Sequence, residues 1–163
     1  MRVHLLAVAT VAALTAVCAT ATAANASRPI PLPPGPDVTW PAGTLCSYPL
    51  RVVTTENKSL LHEFPNGQIL ITGKLTQRVT NLDTGVSRVF KASGPLRVIF
   101  HDDGTSTVIS TGRILITLSS AADAGGPGIF IYTGRVVYQN SANGTVTSVS
   151  RIPNSLNICT ALA

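Results

Sequence analysis

The chain has 163 residues, 12% of them charged, and a formal net charge of +5. That length suits one domain. The positive balance is mild and falls short of the basic stripe of a nucleic-acid binder.

The first 26 residues read as a targeting segment. Arg2 and His4 precede an apolar run from Leu5 to Val17, and Ala-x-Ala patterns follow at Ala19/Ala21, Ala21/Ala23 and Ala24/Ala26. This is the layout of a cleaved secretory signal, and the run is too short to span a bilayer comfortably. The expected cut follows Ala26. Cys18 is lost with the signal, and the bulky Val17 beside it argues against a lipid-anchored cysteine. The expected product is secreted, with no stable membrane anchor, and keeps 137 residues and a charge of +4. No other long apolar segment follows.

Residues 27–43 contain Pro29, Pro31, Pro33, Pro34, Pro36 and Pro41. Proline lacks an N–H and favours extended polyproline geometry, so this run is expected to stay out of any ladder and to act as a linker. Trp40 should pack on the edge of the domain that follows, residues 44–163.

The domain reads as β throughout, with no helical period. Tyr48–Thr55 is the first predicted strand, and 56–59 is a predicted turn. Leu60–Phe64 is the second strand, closed by Pro65-Asn66-Gly67. Gln68–Asn81 is the third, and Asp83-Thr84-Gly85 closes a hairpin. Val86–Ala92 is the fourth, stopped at Gly94-Pro95. Leu96–His101 is the fifth, and Asp102-Asp103-Gly104 turns it. Thr105–Leu118 is the sixth, and a Ser/Ala/Gly loop spans 119–128. Ile129–Gln139 is the seventh, Asn143-Gly144 turns it, and Thr145–Ile152 is the eighth.

One phrase recurs within the longest strands: Thr72-Gly73-Lys74-Leu75, Thr111-Gly112-Arg113-Ile114 and Thr133-Gly134-Arg135-Val136. Period-2 alternation puts the glycine on the apolar face and the cation on the polar face each time. Leu70, Ile109, Leu115, Ile131 and Val137 break the alternation, so the outer face should be partly covered. A glycine inside a strand lets a sheet coil tightly or lets something approach its concave face. About eight strands joined mostly by short hairpin loops predict an antiparallel up-and-down meander, the glycine gaps would let it curl, and closure into a barrel would remove sticky edges. A β-sandwich is the alternative.

Cys46 and Cys159 bracket the domain. In an exported chain an even pair reads as a disulfide. Two free thiols, a redox pair, or zinc ligation together with His62 and His101 are the competing readings. The short paired spacing of a zinc site is missing, so no metal and no cofactor is expected.

Catalytic patterns are absent. There is no Gly-x-Ser-x-Gly elbow, phosphate loop or His-Glu-x-x-His. Asp102 and Asp103 are adjacent in a turn and cannot face one substrate as a hydrolytic pair does. His62 and His101 read as structural or surface residues. Phe130, Tyr132 and Tyr138 share a face with Gly134 and would line a pocket for a hydrophobic small molecule. On the polar face, Lys74, Arg78, Arg113 and Arg135 form a candidate cationic stripe for an anionic cell-wall polymer. The scarcity of stacking aromatics beside these cations disfavours nucleic acid as a partner.

The cysteine pair, the Asn81-Leu82-Asp83-Thr84-Gly85 hairpin, the Gly94-Pro95 break and the Cys-x-Ala-Leu-Ala ending resemble a group of small exported actinobacterial proteins. The likeness covers about residues 44 to 163 and brings no activity with it. Arginine outnumbering lysine nine to three points to a similar high-GC source. A second similarity is to allene oxide cyclase and dirigent barrels. It rests on Gly125-Gly126-Pro127-Gly128-Ile129-Phe130, which is like their glycine-rich entry into a barrel strand. It implies a fold and transfers no catalytic residue.

The expected function is a non-enzymatic binding module at or outside the cell surface. The alternatives are a cyclase- or isomerase-like barrel enzyme acting on an apolar small molecule, and a structural or adhesive envelope protein.

Overall fold

The computed structural model describes residues 28–119, 126–150 and 154–163. The expected signal segment with its cut site, and the middle of the 119–128 loop, lie outside the described residues. The chain is all-β. In order, the strands are β1 (Ile30–Pro31), β2 (Val38–Trp40), β3 (Leu50–Asn57), β4 (Leu60–Glu63), β5 (Ile69–Thr72) and β6 (Lys74–Asn81). Then come β7 (Ser87–Ser93), β8 (Leu96–Phe100), β9 (Ser106–Leu118), β10 (Gly128–Asn140), β11 (Val146–Val149) and β12 (Ser155–Asn157), followed by the one-turn helix α1 (Ile158–Ala161).

Among the described residues these are twelve strands of one antiparallel sheet, not about eight. The four extra strands are β1 and β2 in the proline-rich run, β12 near the C-terminus, and the division of the predicted third strand in two; besides these, long strands are interrupted without reversing. Asn57 pairs with Leu75 and Leu60 with Thr72, so β3 and β4 run alongside a single partner. The predicted turn at 56–59 is therefore a corner. The same holds at Gly94-Pro95, where Ser93 pairs with Lys74 and Leu96 with Ile71. Gly73 divides the predicted third strand into β5 and β6.

The interruptions line up across neighbouring strands. Lys74 pairs with Ser93, Ser93 with Arg113 and Arg113 with Thr133; Gly112 pairs with Gly134 one step away. We call this line the crease. On one side lies a near half built from β2, β3, β6, β7, the end of β9, the start of β10, and β12. On the other lies a far half built from β1, β4, β5, β8, the start of β9, the end of β10, and β11.

The expected closed barrel does not form: the sheet is open. At one side its edges are β1 and β2, and at the other β11 and β12, each pairing with a single inner neighbour. The edges are managed by short strands and proline rather than by closure. β1 and β2 come from the proline-rich run, so part of that run does join the ladder. Proline is tolerated there because an edge strand has a side that owes no hydrogen bond. The Arg51–Asp37 ion pair, 2.7 Å, ties the same arm to β3.

Two cores result. The first joins Leu50 and Val52 of β3, Val79 of β6 and Phe90 of β7 to Ile129 and Ile131 of β10. Those first three strands do not pair with β10, so two stretches of the sheet face each other here. β7 and β9 share only the Ser93–Arg113 pairing and then part. Ile158 and Leu162 fill the end of this core, with Trp40 and Leu115 packed against it. The second core lies on the other face of β9 and β10 and holds Ile116, Leu118, Phe130, Tyr132, Val136 and Val149. Burial on both faces explains why Leu115 and Ile131 break the alternation.

The two chain ends are locked together. Cys46 and Cys159 form a disulfide with Cα atoms 5.3 Å apart, which settles the pair against free thiols or zinc ligation. Beside it the Tyr48 hydroxyl donates to the Cys159 carbonyl at 2.7 Å. Asn157 caps α1 by accepting from the Cys159 N–H at 2.9 Å.

The repeated glycines do not form an inner wall. Gly73 and Gly134 are exposed, and a Cβ on Gly134 would meet open space. What Gly73 and Gly112 make room for is backbone. A Cβ on Gly73 would strike the Lys58 carbonyl, and one on Gly112 would strike the Ser93 carbonyl. The shared purpose is the crease, with Gly94 as an unforeseen member at φ 126°.

Candidate functional site at the crease

Several residues lining the crease carry little or no side chain. Ala92 stands opposite Leu75 in the β6–β7 ladder. Ser110 stands between Leu96 and Val136. Gly73 and Gly94 add nothing. The space left unfilled is a cavity of about 320 Å³, partly open to solvent. Its apolar wall includes Leu32, Ile71, Leu75, Leu96, Ile114 and Leu115. The volume sits at the small end of the range for ligand pockets, and the mixture of apolar wall and few polar groups is typical of them.

The polar lining falls into two sets. At the β1 edge the groups are already engaged. Asn57 donates to the Pro33 carbonyl at 2.7 Å and accepts from the Ser59 N–H at 3.0 Å. Thr72 Oγ1 lies 3.3 Å from His62 Nε2. The second set is Gln77, Ser110, Arg113 and Tyr138. None of these four side chains has a hydrogen-bond or ion-pair partner among the described residues. Ser110 is only 3% exposed. Among the described residues no fully buried side-chain polar atom lacks a partner, so these four reach open space and stay available to an occupant of the cavity.

Tyr138 is the predicted pocket residue that reaches this cavity. Burial pushes its phenol up to about 12. Phe130 and Tyr132 do not line it. They pack in the second core, with ring centroids 5.9 Å apart. Burial also raises the Tyr132 phenol.

The candidate cations have different surroundings. Lys74 is held by Glu56 at 2.6 Å, and Glu56 also binds Lys58 at 2.8 Å. Those contacts, the Lys58 one foremost, pull the Glu56 carboxyl down to about 2. Arg78 lies exposed on β6 and Arg135 exposed on β10. Arg113 is the cation of the repeated phrase that borders the cavity, and it is exposed at its rim.

The remaining titratable residues sit in local structure. Asp103 accepts from the Thr105 hydroxyl at 2.7 Å and the Thr105 N–H at 2.9 Å, which holds its carboxyl below the usual range. His101 bonds Thr107 at 2.8 Å. Among the described residues there is no cluster of three or more His, Cys, Asp or Glu able to hold a metal.

Sequence reasoning missed Gln77, Ala92, Gly94 and Ser110 as site residues. A signal existed for Ser110: it follows Val108 on the inward face of a predicted strand, where an aliphatic residue is the norm. No family model matches the chain, and no curated protein and no solved structure matches it either.

Proposed function

We propose that this protein is an exported, non-enzymatic binding module that holds an apolar small molecule in the crease cavity. One observation carries the reading: an unfilled, mostly aliphatic space bordered by polar side chains that lack partners, Ser110 among them. The lining supports binding rather than acid–base catalysis. Arg113 and Tyr138 are its ionisable members, and a phenol near pH 12 is far from the neutral range that proton transfer at physiological pH requires. The disulfide fits an oxidising compartment outside the cytosol. The facing layers of the near half give a rigid, sandwich-like frame on which the cavity is held.

Native mass spectrometry of the protein purified from its source tests this. The expected result is an added small-molecule mass that disappears in Ala92→Leu, which fills the space. Absence of any added mass, together with no uptake of octanol in solution, overturns the reading.

A further inference from the structure

We propose that the cavity selects an amphipathic anion, with an acidic head at Arg113 and an aliphatic body inside; this rests on the binding reading above. Arg113 lines the cavity, is exposed at its rim and has no ion pair among the described residues. Its immediate ladder partners are Ser93 and Thr133, neither of which is acidic. Glu56, an acid beside the crease, is already held by two lysines. No carboxylate therefore competes for Arg113 from within the cavity lining. A guanidinium presents a planar fork of donors that matches a carboxylate in two-point contact.

The other unpartnered groups extend the match. Ser110, Gln77 and the Tyr138 hydroxyl can each donate to an oxygen. Ile71, Leu75, Leu96 and Ile114 line the same space and offer an alkyl body apolar contact. A cavity of about 320 Å³ holds on the order of ten water-sized groups at roughly 30 Å³ each. That is the size of a medium-chain fatty acid, and it excludes a long-chain lipid lying wholly inside. The class is thus a single-headed aliphatic acid of medium length.

The test compares octanoate, octanol and octylamine by isothermal titration calorimetry on the disulfide-bonded chain, in parent, Arg113→Met and Ala92→Leu. Octanoate should bind at least about tenfold more tightly than octanol, the discrimination expected of one charge-assisted contact. Octylamine should bind more weakly than octanol. Arg113→Met should erase the preference for octanoate, so that octanoate and octanol bind this variant equally. Ala92→Leu should weaken both, which places the site in the cavity. If octanol and octanoate bind equally, the binding reading stands and the selection of an anion is overturned. If octanoate binds but Ala92→Leu leaves it unaffected, the ligand lies elsewhere and the proposal fails. If none of the three binds, both readings fall together.

Discussion

Gly112 and Gly134 stand directly opposite each other in the β9–β10 ladder, yet each is glycine for a different reason. Gly112 has no room for a Cβ, because the Ser93 carbonyl and the Gly94 Cα occupy that place. Gly134 has room, but its φ of 105° is a conformation that side chains resist. Gly112→Ala should destabilise by forcing β7 away from β9, at a cost of about 1–3 kcal/mol or more. Gly134→Ala should cost about 1–3 kcal/mol through backbone strain alone. Urea midpoints measure both. Spectra separate them: the Gly112 variant should shift backbone amide resonances at Ser93 and Gly94, and the Gly134 variant should leave them in place.

The disulfide closes almost the whole domain, with Cys46 and Cys159 separated by 113 positions in sequence. In the chain-entropy account, a loop that long gives about 5 kcal/mol of stabilisation through the unfolded state. Replacing both cysteines by serine should remove most of the folding stability and free the end of the first core, where α1 and Leu45 meet. Thermal unfolding with and without reductant is the check. An unchanged midpoint would mean that Ile158 and Leu162 hold the end without the bond.

Asn81 is a buried hub, 2% exposed. Its amide donates to the Leu162 carbonyl at 2.9 Å, while its oxygen accepts from the Asp83 N–H at 3.0 Å. It therefore joins the β6–β7 hairpin to the C-terminal turn. Asn81→Leu should leave these backbone groups unpaired and cost about 1–3 kcal/mol for each one left dry. Hydrogen exchange should speed up at Asp83 and in α1 together. Faster exchange at only one of them would refute the link.

Glu56, one residue before the end of β3, grips Lys74 at the start of β6, so the ion pair ties these neighbouring strands together beside the crease. Its carboxyl lies at about 2 against an ordinary value of 4.5. A depressed folded-state value means its contribution is present above the ordinary value and disappears as pH falls through the folded one. Glu56→Gln should lower the melting temperature modestly at pH 7. The gap from the parent should shrink between pH 4.5 and about 2 and vanish below that. An equal gap at pH 7 and pH 2 would show that hydrogen bonding, not charge, does the holding.

Much of the strand content was legible before any coordinates. Alternation marked the β segments because a half-buried strand must present every second side chain to the core. The hairpins at Asn81–Gly85 and Asn143-Gly144 were legible because those residues accept turn geometry at little cost. The Cys46–Cys159 bond was expected from an even pair of cysteines bracketing the domain, and the two sulfurs do meet.

The crease was not legible, although its glycines were. A glycine tolerates both an inward gap and a close backbone contact, so the repeated phrase alone could not say which. Likewise the Lys58-Ser59 and Gly94-Pro95 breaks look like reversals until their partners across the ladder are known. Composition and local pattern by themselves determined an all-β chain with strands where the alternation falls. Only the tertiary structure decided that the sheet stays open, that Arg113 rather than Lys74 borders a cavity, and that Ser110 faces it. Those facts depend on which distant segments meet, and pairing between distant segments is a property of the assembled sheet that no single strand encodes.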